Sequence, residues 1–201
     1  MGNFISRFGK ISDLIDIFTL QTPRNMNISD DTSVFPIIDG LQGRPAHYPI
    51  VDDYDNLLFY IQRNQNLSTV VYEVNLQYAD LLNISQPILM HWLQFDQFGM
   101  TEKKELNYIQ KKMAYGYTFN IISGDLLEFR FVSYDKMKFY LGKDSNGRFK
   151  VFSKMDGHMI EINSMFVYSE DYGVFPQVKF VEFYGKNTDS GDTFYKKLNL
   201  E

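Results

Sequence analysis

From Leu57 onward the chain is divided into short runs of β-branched and aromatic residues, each closed by a turn signal, and that rhythm leaves few folds open. The runs are Leu57 to Arg63, Thr69 to Leu76, Pro87 to Phe95, Tyr117 to Ile122, Leu126 to Tyr134, Phe139 to Lys143, Phe149 to Lys154, Met159 to Tyr168, Gln177 to Tyr184 and Phe194 to Leu200. Leu127, Phe129 and Phe131 alternate with Glu128 and Arg130, the period of a strand with one wet face. Asn146-Gly147 supplies two residues suited to positive φ, so a type I′ hairpin is expected there, and Asp156-Gly157 repeats the device. Aromatic residues make up 16% of the chain, and large flat side chains fit best on a pleated surface. Nine or ten short strands predict a mainly β fold: an antiparallel β-sandwich or barrel-like domain, not a parallel βαβ sheet.

One internal α-helix is expected between the third and fourth runs. Thr101 can cap it, Leu106, Ile109 and Met113 share a face, and Gly116 stands where a left-handed residue would end it. Lys103, Lys104, Lys111 and Lys112 would line its wet side.

The first 56 residues read differently. Phe4, Ile5, Phe8, Ile11, Leu14, Ile15 and Phe18 recur at spacings of three and four, against Arg7, Lys10, Asp13 and Asp16, which predicts an N-terminal amphipathic helix within residues 1–20. Residues 21–56 hold Pro23, Pro36, Pro45 and Pro49 with Gly40 and Gly43, a composition for a linker or a strap over the β-rich domain of residues 57–201. The opening Met1-Gly2-Asn3-Phe4-Ile5-Ser6-Arg7 matches an N-myristoylation signal, with Gly2 the acceptor and Asn3, Ser6 and Arg7 part of what the transferase reads. One myristoyl chain gives K of about 10⁴ M⁻¹ and needs a second signal. The charges of the first turns nearly cancel, so the face of Phe4, Phe8, Ile11, Ile15 and Phe18 would have to provide it, against a membrane or a partner.

Other chemistries are poorly served. With no cysteine there is no disulfide, thiolate nucleophile or thiolate metal site. A net charge of −5 with lysines scattered among acids gives no basic stripe for nucleic acid. His47, His91 and His158 stand singly, without metal-binding spacing, and no Gly-x-Ser-x-Gly elbow or phosphate loop occurs, so no catalytic residue, metal or cofactor is expected. No apolar run suits an export signal or a spanning helix, which predicts a cytoplasmic protein at most peripherally attached to a membrane.

Five blocks, in order, carry a family likeness. They are Thr69-Val70-Val71-Tyr72-Glu73-Val74-Asn75-Leu76; Pro87 with His91-Trp92; Leu106-Asn107-Tyr108-Ile109-Gln110 running to Ala114-Tyr115-Gly116-Tyr117; Glu128-Phe129-Arg130-Phe131-Val132-Ser133-Tyr134; and Phe175-Pro176-Gln177-Val178-Lys179-Phe180-Val181-Glu182-Phe183-Tyr184-Gly185. Over about residues 57–200 the chain resembles domain of unknown function 4833, an uncharacterised family common in bacteria. The resemblance implies a single folding unit and brings no activity to carry over.

Three functions follow as expectations. The first is a non-enzymatic peripheral membrane adaptor, anchored through Gly2 and presenting the β-domain to a protein partner. The second is a β-barrel that binds a small molecule or lipid, or acts on it as a catalyst, whose polar pocket would gather Glu73, Asn75, His91, Tyr115 and Arg130. The third is a structural component of a larger assembly.

Overall fold

A computed structural model describes residues 44–45, 48–52, 55–64, 66–78, 81–95, 101–172 and 175–200. The expectations for Gly2, Asn3, Ser6, Arg7, for the apolar face Phe4, Phe8, Ile11, Ile15 and Phe18, for most of the strap and for His47 lie outside these residues.

The strands are β1 (Leu57–Arg63), β2 (Asn66–Val74), β3 (Leu76–Gln77), β4 (Leu81–Leu82), β5 (Ile88–Phe95), β6 (Thr101–Glu105), β7 (Tyr117–Ser123), β8 (Leu126–Phe131), β9 (Tyr134–Lys143), β10 (Phe149–Met155), β11 (His158–Tyr172), β12 (Phe175–Asn187) and β13 (Thr193–Asn199). A single helical turn, α1 (Tyr108–Gln110), runs on into a π-helical turn at Lys111–Tyr115. Among the described residues β3 and β4 pair only with each other, and the other eleven strands form one sheet.

That sheet is organised around β11. β12 runs antiparallel along one edge of β11, from Ile160 to Tyr172. The other edge is shared end to end: β10 pairs antiparallel with His158 to Glu161, and β1 pairs parallel with Ser164 to Val167. Two wings leave that edge, β1-β2-β5-β6 and β10-β9-β8-β7. They face one another, because Tyr72 of β2 meets Phe131 of β8 edge-on at 5.7 Å, and Phe59 of β1 meets the same ring at 6.0 Å. At the far rim, the Tyr117 hydroxyl of β7 accepts from the Ile88 N–H of β5 and donates to its carbonyl, both at 2.9 Å. One phenol thus closes a gap that a ladder pair would otherwise fill, and the sheet curls into a half-barrel. The expected all-antiparallel arrangement is corrected at β1 and β11, whose parallel pairing joins residues about a hundred positions apart.

The interior is aromatic. Phe59 stacks on Tyr72 at 4.3 Å, and Phe129 stacks on Phe139 at 5.4 Å with Phe131 edge-on to both. Offset and edge-to-face pairs add about 0.5–1.5 kcal/mol each beyond simple burial. A second, smaller cluster lies on the outer side of the first wing, where Val51 covers Tyr60, Val71 and Leu93. The segment carrying Val51 is latched by buried Gln62, which donates to the Pro49 carbonyl at 2.7 Å and accepts from Arg44 at 2.7 Å. Tyr48 adds an edge contact to Phe166 at 5.8 Å. Residues 48–52 therefore pack against the outer face of the first wing.

Two local expectations are corrected. The long helix from Thr101 does not form: Thr101 to Glu105 is the exposed strand β6, paired with β5. Thr-Glu-Lys-Lys-Glu has no apolar period to bury as a helix, whereas its side chains pair across strands, as Lys103 does with Glu73 at 3.3 Å. The helical turn begins instead at Asn107, whose side chain accepts from the Gln110 N–H while the Gln110 side chain accepts from the Asn107 N–H. Gly116 is extended, at φ −67° and ψ 171°, not left-handed. The type I′ geometry falls at Asp156 (φ 51°) and Gly157 (φ 87°). At Asp144 to Arg148 only Gly147 is left-handed, at φ 77°, because the Asp144 side chain accepts from the Asn146 and Arg148 N–H groups and sets a longer loop.

Candidate functional site

Between the two wings and the β12–β13 pair lies a cavity of about 120 Å³. Strand alternation builds it. On β1, Ile61 and Arg63 point inward while Tyr60 and Gln62 serve the strap side; on β11, Met165 and Val167 point inward while Phe166 packs on Tyr48. Trp92 of β5, Tyr115 of the π turn, Phe131, Met137, Val181, Phe183 and Leu198 complete walls that are apolar over most of their surface.

One corner is polar. The Arg63 guanidinium lies over the Trp92 ring, 5.2 Å from its centroid. Tyr115 meets the same indole edge-on at 5.0 Å, and the indole N–H donates to Gln110 at 3.2 Å. Burial pushes the Tyr115 hydroxyl well above the ordinary phenol range, with Arg63 opposing, so it remains a neutral hydroxyl. The Tyr115 carbonyl accepts from buried Tyr72 at 2.8 Å, tying the turn to the first wing.

The five residues expected to form one polar pocket are divided among separate places. Tyr115 faces the cavity. Glu73 and His91 meet on the opposite, outer face of the first wing, where Glu73 Oε2 lies 3.6 Å from His91 Nδ1. Asn75 holds the loop before β5 by donating to the Gln86 carbonyl at 2.8 Å. Arg130 points out of β8, 3.0 Å from Glu128, which also pairs with Lys138 at 2.9 Å. Alternation explains the split, since Phe129 and Phe131 take the inward positions and leave Arg130 outside.

Sequence reasoning missed Arg63, Trp92 and Glu182. Period two along Phe59, Ile61 and Arg63 was the available signal for the first. Glu182 is fully buried on the outer face of β12, where Tyr184 and Tyr195 donate to its two oxygens at 2.5 and 2.9 Å. A buried carboxylate needs such donors, and these fasten β13 to β12. Burial and the Glu182 carboxylate raise Tyr195 to about 12. Among the described residues no group of three His, Cys, Asp or Glu side chains stands close enough to hold a metal ion.

His91 gives a pH dependence whose sign is fixed. Burial lowers its proton affinity below the ordinary imidazole value, Lys103 acts the same way, and Glu73 and Glu105 oppose. Below about pH 6.5 the unfolded chain takes up a proton that the folded protein still refuses, so stability falls as pH is lowered through that window. Urea unfolding from pH 7.5 to 5.5 is expected to show this loss, and His91→Gln is expected to flatten it. An unchanged slope in the variant would remove His91 as its source.

The model of a family described as Domain of unknown function (DUF4833) matches residues 59–197. No curated protein and no solved structure matches the chain. No helix among the described residues is long and apolar enough to cross a membrane.

Proposed function

The chain belongs to the DUF4833 family, and on that premise we propose that its half-barrel is a non-catalytic binding module that takes a small apolar group into the cavity. The observation that carries this reading is the cavity itself. Interiors are packed with few voids larger than a water molecule, and this one offers about 120 Å³ between mostly apolar walls. A cavity of about 150 Å³ holds a six-carbon ring, so this one accepts on the order of five carbons. Burying five methylenes is worth about 4 kcal/mol, which corresponds to a millimolar Kd without help from polar groups.

Trp92 is the single tryptophan of the chain and lines the cavity, so its emission reports occupancy. Pentan-1-ol is expected to change that emission saturably in the low millimolar range, and Val181→Phe, which fills the space, to abolish the response. A linear, unsaturable change in the wild type, or one that survives the filled variant, would reject the cavity as a binding site.

A membrane tether is a second reading, favoured by Met1-Gly2-Asn3 with Ser6 and by the apolar spacing of Phe4, Phe8, Ile11, Ile15 and Phe18. Here a myristoylated Gly2 and an amphipathic face hold the module at a cytosolic membrane surface, where it serves as an adaptor for a protein partner. Gly2→Ala is expected to move the protein from the membrane fraction of cells to the soluble one. Unchanged partition would end this reading and leave the cavity untouched.

A further inference from the structure

Among the described residues, three strands of the large sheet have a ladder on one side only: β6, β7 and β13. Open edges invite pairing with another chain, and charged side chains or proline are the usual protection. β6 carries Glu102, Lys103, Lys104 and Glu105 within five residues, and β13 carries Lys196 and Lys197. β7, Tyr-Thr-Phe-Asn-Ile-Ile-Ser, carries neither charge nor proline. Its far end is open to solvent, with Ile121 51% and Ile122 52% exposed, and Leu126 across the turn extends the same apolar tip. We propose that β7 is a docking edge for a second copy of this chain, the two β7 strands lying antiparallel about a two-fold axis at Asn120 and joining two half-barrels into one continuous sheet. The cavity has no part in this contact.

The backbone fixes the register. The Val132 N–H donates to the Gly116 carbonyl at 2.9 Å, a hydrogen-bonded pair at the mouth of the β7–β8 ladder, and pairing then runs without a break to Ile121 opposite Leu127. Alternation therefore turns the amide groups of Thr118 and Asn120 toward β8 and those of Phe119 and Ile121 toward the open side. With Asn120 opposite its own copy, Phe119 of each strand falls opposite Ile121 of the other, and each such pair exchanges both of its backbone hydrogen bonds. The stretch is bounded by Tyr117, whose hydroxyl closes the rim at β5, and by the bulge between Ile121 and Ser123.

Charge selects a second copy as the occupant. A two-fold axis through Lys103 of β6 or Lys196 of β13 would set like charges face to face, which opposes pairing. β7 meets itself with nothing to repel, in a chain whose net charge of −5 otherwise keeps copies apart. A strand pair this short buries well under the roughly 800 Å² per partner of a standard interface, so the dimer is weak, reversible and closed by its two-fold symmetry.

Sedimentation equilibrium of the full chain tests this. The wild type is expected to pass from monomer to dimer with a Kd of about 0.1–1 mM. Asn120→Lys and Asn120→Glu, changes at an exposed position, are each expected to weaken the dimer about fivefold or more when studied alone, because like charges then meet at the axis, and an equimolar mixture of the two is expected to recover wild-type association or better. Ile121→Pro removes an N–H that faces the open side, leaves the β7–β8 ladder intact, and is expected to weaken association about thirtyfold. A wild type that stays monomeric to several millimolar would overturn the proposal and leave the edge to an extended segment of another protein. Association that Ile121→Pro leaves unchanged, or a mixture of the Asn120 variants no stronger than either alone, would overturn it as well. The Asn120 pair decides the matter even if Ile121→Pro fails to fold.

Discussion

Truncating Phe129 to alanine is expected to lower the free energy of unfolding by about 3–5 kcal/mol. The ring is 1% exposed and touches four others: Phe139 stacked at 5.4 Å, Phe131 and Tyr117 edge-on at 5.9 Å, and Phe59 stacked at 6.5 Å. Those partners come from β1, β7, β8 and β9, so their collapse into the vacated space would require both wings to move. Domains of this size hold about 5–15 kcal/mol in total, so the variant stands near the edge of folding at 37 °C. Guanidinium titration measures the change. A loss under about 1.5 kcal/mol would mean that the wings relax together more easily than their mutual stacking implies.

Gly116→Ala is expected to cost about 3 kcal/mol or more, for a reason unrelated to backbone freedom. At φ −67° and ψ 171° any residue is comfortable. Space is the obstacle: a β-carbon there would sit 1.8 Å from the Lys111 carbonyl oxygen and 2.9 Å from its carbonyl carbon, both backbone atoms. The π turn would have to open, displacing Ala114 and Tyr115 from the cavity wall and loosening the bond from Trp92 to Gln110. A red shift of Trp92 emission is therefore expected alongside the loss of stability. Gly124→Ala is the control, since that residue has φ 48° with open space around it and should cost about 1 kcal/mol. Comparable losses in the two variants would refute the steric argument.

The sequence was legible where local chemistry decides the structure. Alternation in Leu127 to Phe131 and the left-handed pair Asp156-Gly157 act over a few residues, and both strand and turn form where the pattern places them. Illegible were choices settled at a distance. No local signal says that β1 lies parallel to a strand a hundred residues away, nor that the edge receiving Thr101 to Glu105 is that of β5. The capping pair Asn107 and Gln110 was readable and outweighs Thr101, because it satisfies two amide groups reciprocally. At the site, residue types were the wrong guide. Glu73, His91 and Arg130 drew attention as charged groups in apolar strands, yet pleat parity sends them outward, and the same parity brings Arg63 in.

Sharing one strand between two wings also imposes an order of events on a ribosome. Tyr60 waits for Ser164, so β1 leaves the exit tunnel about a hundred residues before its parallel neighbour. At 5–20 residues per second that interval lasts roughly 5–20 s. Through it the nascent chain exposes an unsatisfied strand edge and the inward rings of Phe59 and Tyr72, a condition that invites aggregation and the attention of holding chaperones.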